Sequence, residues 1–118
     1  MFLAPCFLAN FILKMVVARV PSTQFFVDSF ERSNCRASTA PEFFLSHCHS
    51  DHLKGLDSGW RLGKLHCSVI TARLLQKQFG HTGQLAAMIV AHHLNEPFDV
   101  WNAQGQSMVT CTFVDAYH

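Results

Sequence analysis

Charge is scarce in this sequence: Asp, Glu, Lys and Arg make up 14% of its 118 residues and leave a formal net charge of +1. With no surplus of either sign there is no long-range field to gather a polyanion, so any affinity for nucleic acid must come from local sites. A disulfide framework is missing as well. The five cysteines (Cys6, Cys35, Cys48, Cys67, Cys111) are odd in number and contain no CxxC pair, which argues against a stapled secreted scaffold or a zinc ribbon and for a reducing compartment. No internal repeat, low-complexity tract or basic import cluster is present, so solenoid and linker-like architectures are set aside.

What is abundant is apolar surface. A hydrophobic fraction of 49% in a chain of one-domain length predicts a single folding unit with buried sheet and little polar exterior. The opening stretch, with Phe2, Leu3, Phe7, Leu8, Phe11, Ile12 and Leu13, lacks the charged leader of a secretory signal, and Lys14 interrupts a run already short for a membrane span. It is read as a buried strand or helix, or an aberrant start, and a membrane role is not expected.

Further along, residues 24–28 (QFFVD) and 43–46 (FFLS) read as short strands, the second of the continuous apolar kind that is buried on both faces. Residues 29–39 read as a connecting loop or hairpin turn, and 53–56 as a short helical turn. Residues 65–67 make a brief strand. Ser68 is a good N-cap, Ile70, Leu74, Leu75 and Phe79 fall at helical spacing, and Gly80 stops the helix expected over 69–79. Residues 84–92 fit helix or strand equally. Residues 97–101 and 108–115 read as two strands joined by a turn around Gly105. The alternation predicts an α/β fold or α+β layers.

The strongest chemical signal is the run His47, His49, Asp51, His52, an H-x-H-x-D-H pattern where a strand ends. Residues i and i+2 of an extended segment project to one side, so His47 and His49 can offer two imidazoles to one cation. Where the chain turns, Asp51 and His52 head elsewhere and suit a second cation; paired ions ~3.5–4 Å apart serve displacements at phosphorus or carbonyl carbon. A single histidine here would be read as a surface residue, but four metal-capable side chains in six residues point to a metal site. Imidazole nitrogen favours zinc over magnesium; manganese and iron remain compatible. His92 and His93 are read as surface or structural.

These words, in order, resemble the DNA cross-link repair nucleases of the metallo-β-lactamase superfamily (the Artemis/Apollo-type, β-CASP group). QFFVDSF (residues 24–30) is similar to that family's first motif, FFLSHCHSDHLKGL (43–56) to its second, with LHCSVITARLL (65–75) continuing it, and FVDAYH (113–118) to the start of its third. The resemblance implies the amino-terminal half of an αββα sandwich over residues 18–118, truncated before the later motifs, with 1–17 as an apolar extension of unknown role. It implies His47, His49 and His118 on one zinc ion and Asp51 and His52 on another. Asp51 would also partner the nucleophilic water, and Asp28 would support the site loop from the first motif. Ser68 and Thr71 would hold substrate phosphate near a helix N-terminus, although Ser68 reads equally as a plain cap. The implied activity is hydrolysis of DNA phosphodiesters from a 5′ end, in the nucleus, during interstrand cross-link or double-strand break repair. DNA is the implied partner, and no small-molecule cofactor is implied. Two alternatives stay open: a non-catalytic piece whose bare sheet face favours association, and a superfamily hydrolase acting on RNA or a small thioester.

Overall fold

The computed structural model describes residues 2–5, 19–32, 41–49 and 52–115. Two sheets and a helical layer build a mixed α/β architecture. One sheet consists of β2 (Phe25–Val27), β3 (Glu42–Phe44), β4 (Leu65–Ser68) and β5 (Ile89–His92), all parallel and in sequence order. The other is antiparallel, in the order β1 (Phe2–Pro5), β7 (Ser107–Val114), β6 (Phe98–Asn102). Helices α1 (Val69–Phe79) and α2 (Gln84–Met88) make the crossover from β4 to β5.

Period-two alternation explains the layering. Phe26, Phe43, Leu45, Leu65 and Cys67 join one buried cluster with Ala72 and Leu75 of α1 and Leu85 of α2, whereas Phe25, Val27 and Phe44 join another with Val100, Val109, Cys111 and Phe113 of the antiparallel sheet. Successive residues of one strand thus feed opposite cores, which is why the parallel strands read as unbroken apolar runs. The first core is sealed by Trp60, whose ring meets Phe43 edge-on at 4.8 Å and Phe30 at 5.5 Å. Its indole N–H donates to the Gly63 carbonyl at 2.9 Å.

Several expectations met a sharper reality. The helix spans Val69–Phe79 as read, and Ser68 caps it by accepting the Thr71 N–H at 3.1 Å. Its buried face, however, is Thr71, Ala72 and Leu75, while Ile70 and Leu74 are exposed at 54% and 47%. The apolar stripe read from spacing is wider than the face the sheet covers. The ambiguous 84–92 segment is both things in turn: a single helical turn and a bit to Met88, then strand from Ile89. Among the described residues no helix is long and apolar enough to cross a membrane.

Candidate metal centre

The site lies where β2 and β3 run out at their C-terminal ends. β2 is followed by Asp28, whose backbone takes a left-handed turn (φ 53°) while its N–H still donates to the Phe44 carbonyl at 2.9 Å. Aspartate tolerates that conformation better than most residues. The turn swings the carboxylate across to the chain leaving β3. There Oδ1 accepts the Ser46 N–H at 2.8 Å and Oδ2 accepts the Ser46 hydroxyl at 2.5 Å. Beyond Ser46 the loop tightens through His49 N–H to the His47 carbonyl (3.1 Å) and His52 N–H to the His49 carbonyl (2.9 Å). Leu53 and Leu56 then plug into the helix-side core. Gly55 (φ 93°) lets the loop lie against Phe30, since a Cβ there would sit 2.4 Å from the Phe30 carbonyl oxygen.

Three imidazoles are drawn together on this loop. The His47 ring centroid is 4.4 Å from that of His49 and 4.1 Å from that of His52, with His49 and His52 6.4 Å apart. His47 and His52 are partly buried and His49 is exposed. Asp28, His47 and His52 each offer a ligand atom within 4.8 Å of the others, a spacing able to hold a metal ion. His52 Nδ1 lies 2.9 Å from Asp28 Oδ2, and His47 Nδ1 lies 2.8 Å from the Ser46 hydroxyl oxygen.

The hydrogen-bond directions fix the tautomers. A carboxylate only accepts, so His52 Nδ1 carries the hydrogen that reaches Asp28. The single Ser46 hydroxyl hydrogen is committed to Asp28 by the short contact, so the Ser46 oxygen accepts from His47 Nδ1–H. In the neutral form of each ring Nε2 is then the Lewis-basic nitrogen. That is the arrangement in which an outer carboxylate orients metal-ligating imidazoles. Burial, followed by the nearby His52 and His49, lowers the His47 pKa, against a smaller opposing pull from Asp28. A neutral imidazole is the metal-binding form. The donor set therefore fits a divalent cation.

Of the residues singled out from the sequence, Asp28, His47, His49 and His52 converge here; Asp51 and His118 lie outside the described residues. Ser68 and Thr71 sit at the start of α1, 1% and 2% exposed, with the Ser68 hydroxyl donating to Thr71 Oγ1 at 3.1 Å. Ser68 caps the helix, and Thr71 supplies the capped N–H and a hydroxyl partner. Ser46 was missed by the sequence reading. Its signal was a hydroxyl placed directly before the first histidine, which means little until the strand end aims it at Asp28.

No family model matches the chain. Over 100 residues, 84% of its length, the chain is 40% identical to 5′ exonuclease Apollo of Rattus norvegicus, of which it spans 17%. Over 58 residues, 49% of its length, it is 40% identical to DNA cross-link repair protein SNM1 of Arabidopsis thaliana, of which it spans 12%. Over 57 residues, 48% of its length, it is 51% identical to DNA ligase 6 of Arabidopsis thaliana, of which it spans 4%.

Proposed function

Because the chain belongs to the DNA cross-link repair nuclease group of Apollo and SNM1, we propose that it carries part of a metal-dependent nuclease that hydrolyses DNA phosphodiesters from a 5′ end. On this reading residues 18–118 are part of a metallo-β-lactamase domain working in the nucleus on cross-linked or broken DNA. The observation that supports it most is the pair of imidazoles, His47 and His52, held through Nδ1 by Ser46 and Asp28 so that Nε2 of each is Lewis-basic.

His47, His49 and His118 would hold one zinc ion, and Asp51 and His52 a second. A bound divalent cation supplies Lewis-acid stabilisation of the charge that builds up during displacement at phosphorus. The protein's own share is positional. Asp28 and Ser46 fix ring orientation and tautomer, Leu53 and Leu56 anchor the loop in the core, and Asp51 orients the attacking water. Ser68 and Thr71 set the start of α1, where backbone N–H groups favour a phosphate.

The test combines metal content with substrate choice. The purified chain is expected to hold zinc stoichiometrically at neutral pH and to lose it on His47→Ala or His52→Ala but not on His81→Ala. If the part present suffices for turnover, it shortens 5′-phosphorylated single-stranded DNA from the 5′ end; zinc with no turnover of any substrate marks the chain as the non-catalytic piece. Absence of zinc sinks the metal reading; zinc together with turnover of RNA or a thioester, and none of DNA, moves the chain to another branch of the superfamily.

A further inference from the structure

A second cluster of titratable side chains lies between the two sheets, at the end of β3 remote from His47, and the metal-site reading leaves it without a role. In β4, Leu65 and Cys67 face the helices, so His66 faces the antiparallel sheet, 5% exposed and stacked on Phe44 at 4.8 Å. Both of its ring nitrogens are engaged: Nε2 lies 2.8 Å from Glu42 Oε1 on β3, and Nδ1 lies 2.9 Å from His92 Nε2 on β5. The His92 ring in turn lies flat on Phe98 of β6, with centroids 3.5 Å apart and planes 12° from parallel, and Phe98 stacks on Phe113 of β7 at 5.7 Å. One hydrogen-bonded chain thus crosses three strands of the parallel sheet and is capped by aromatic rings of the other.

Donor and acceptor counting sets the tautomers of the two neutral rings. Glu42 accepts, so His66 Nε2–H donates to it. The neutral His66 ring then has Nδ1 as acceptor, and His92 Nε2–H donates to it. The nitrogen-to-nitrogen bond survives one added proton, because the ring left neutral still supplies a lone pair. With both rings charged the facing nitrogens both carry hydrogens, and the bond is lost while two cations are forced into an apolar layer.

We propose that Glu42, His66 and His92 form a proton-linked clasp across β3, β4 and β5 which, through the His92 ring stacked on Phe98, keeps the parallel sheet packed against the antiparallel one at neutral pH and loosens that packing in acid. Other charged and titratable groups around it do not offset the change. Lys64, just before β4, and Asp99 of β6 are of opposite sign, and with Val100 and Trp101 they line the cleft of about 190 Å³ that also borders Glu42 and His66. His93, which follows β5, is exposed. Cys111 of β7 is buried and, with its thiol pushed up to about 12, stays neutral throughout. Burial, and then the neighbouring His66, lower the His92 pKa from 6.5 to about 4. The folded state therefore binds fewer protons than the unfolded chain in this window. Stability contributed by the clasp is present above about 6.5 and falls away as pH drops toward 4.

The experiment is histidine-selective 15N NMR on the wild-type chain, paired with urea unfolding from pH 7.5 to 4. At neutral pH a scalar coupling is expected across the hydrogen bond between His66 Nδ1 and His92 Nε2, with His92 titrating well below an ordinary histidine and the coupling vanishing in acid. His92→Phe keeps the stack on Phe98 and removes the titration, so its unfolding midpoint should change less between pH 6.5 and 4. Glu42→Gln keeps an acceptor for His66 but removes the compensating charge, and should move acid release up by about one pH unit. A wild-type spectrum with no such coupling, or with His92 titrating as a free imidazole, overturns the clasp. So does a folded His92→Phe protein with unchanged pH dependence; should that variant not fold, the wild-type spectrum decides alone.

Discussion

Asp28 answers three demands with one side chain. It must tolerate a left-handed backbone, fasten the loop leaving β3 through Ser46, and orient His52. Asparagine tolerates the same backbone, so Asp28→Asn separates charge from shape. The variant should keep the fold by circular dichroism while affinity for the proposed zinc ion, measured against a competing chelator, drops by about 10–100-fold, the usual effect of removing an outer partner of a ligating histidine. Ser46→Ala should weaken zinc in the same direction, because it removes the acceptor that holds His47 Nδ1. If both variants bind zinc as tightly as wild type, the tautomer argument fails. At this scale the cluster was legible: the three imidazoles that the structure brings together, His47, His49 and His52, stood out by type and spacing, and Asp28 by its place in a resembling motif. Ser46, and the Glu42–His66–His92 chain, were not legible, since their partners are 18 to 26 residues away in sequence and only strand register brings them together.

Elements were legible where local chemistry decides and illegible where packing does. The start of α1 belongs to the first kind. Ser68 was readable as a cap, and it caps, with the further feature that Ser68 and Thr71 are buried and bonded to each other. Ser68→Ala should destabilise the protein by about 1–2 kcal/mol in urea unfolding, toward the upper part of the usual range for a lost cap because the orphaned groups are buried. A smaller loss than about 0.5 kcal/mol would mean that the helix start is held by the β4 pairing instead. The buried face of α1 belongs to the second kind. Ile70 and Leu74 fit the helical period as well as Leu75 does, yet periodicity alone cannot say how wide a stripe the sheet covers. For 84–92 the composition suits either structure. The pairing of Ile89 with Leu65 and Val90 with His66 settles where strand begins.

For the molecule as a whole, the parallel sheet is a shared wall. Phe43 and Leu45 face the helices while Phe44 between them faces the antiparallel sheet, and Phe26 is flanked in the same way by Phe25 and Val27. Losing one core therefore strips one face from strands that the other core needs, and the two should melt as one cooperative unit. Each core carries its own reporter. Cys67 sits on the helix side and Cys111 between the sheets, both fully buried, and burial pushes both thiols up to about 12. A thiolate is the species that reacts with alkylating reagents, so both should stay unlabelled in the folded protein at pH 8. In a urea series read by peptide mass spectrometry after iodoacetamide, Cys67 and Cys111 should become labelled at the same midpoint. Labelling of Cys111 at clearly lower urea than Cys67 would show that the antiparallel sheet detaches first and that the alternating strands do not couple the two cores.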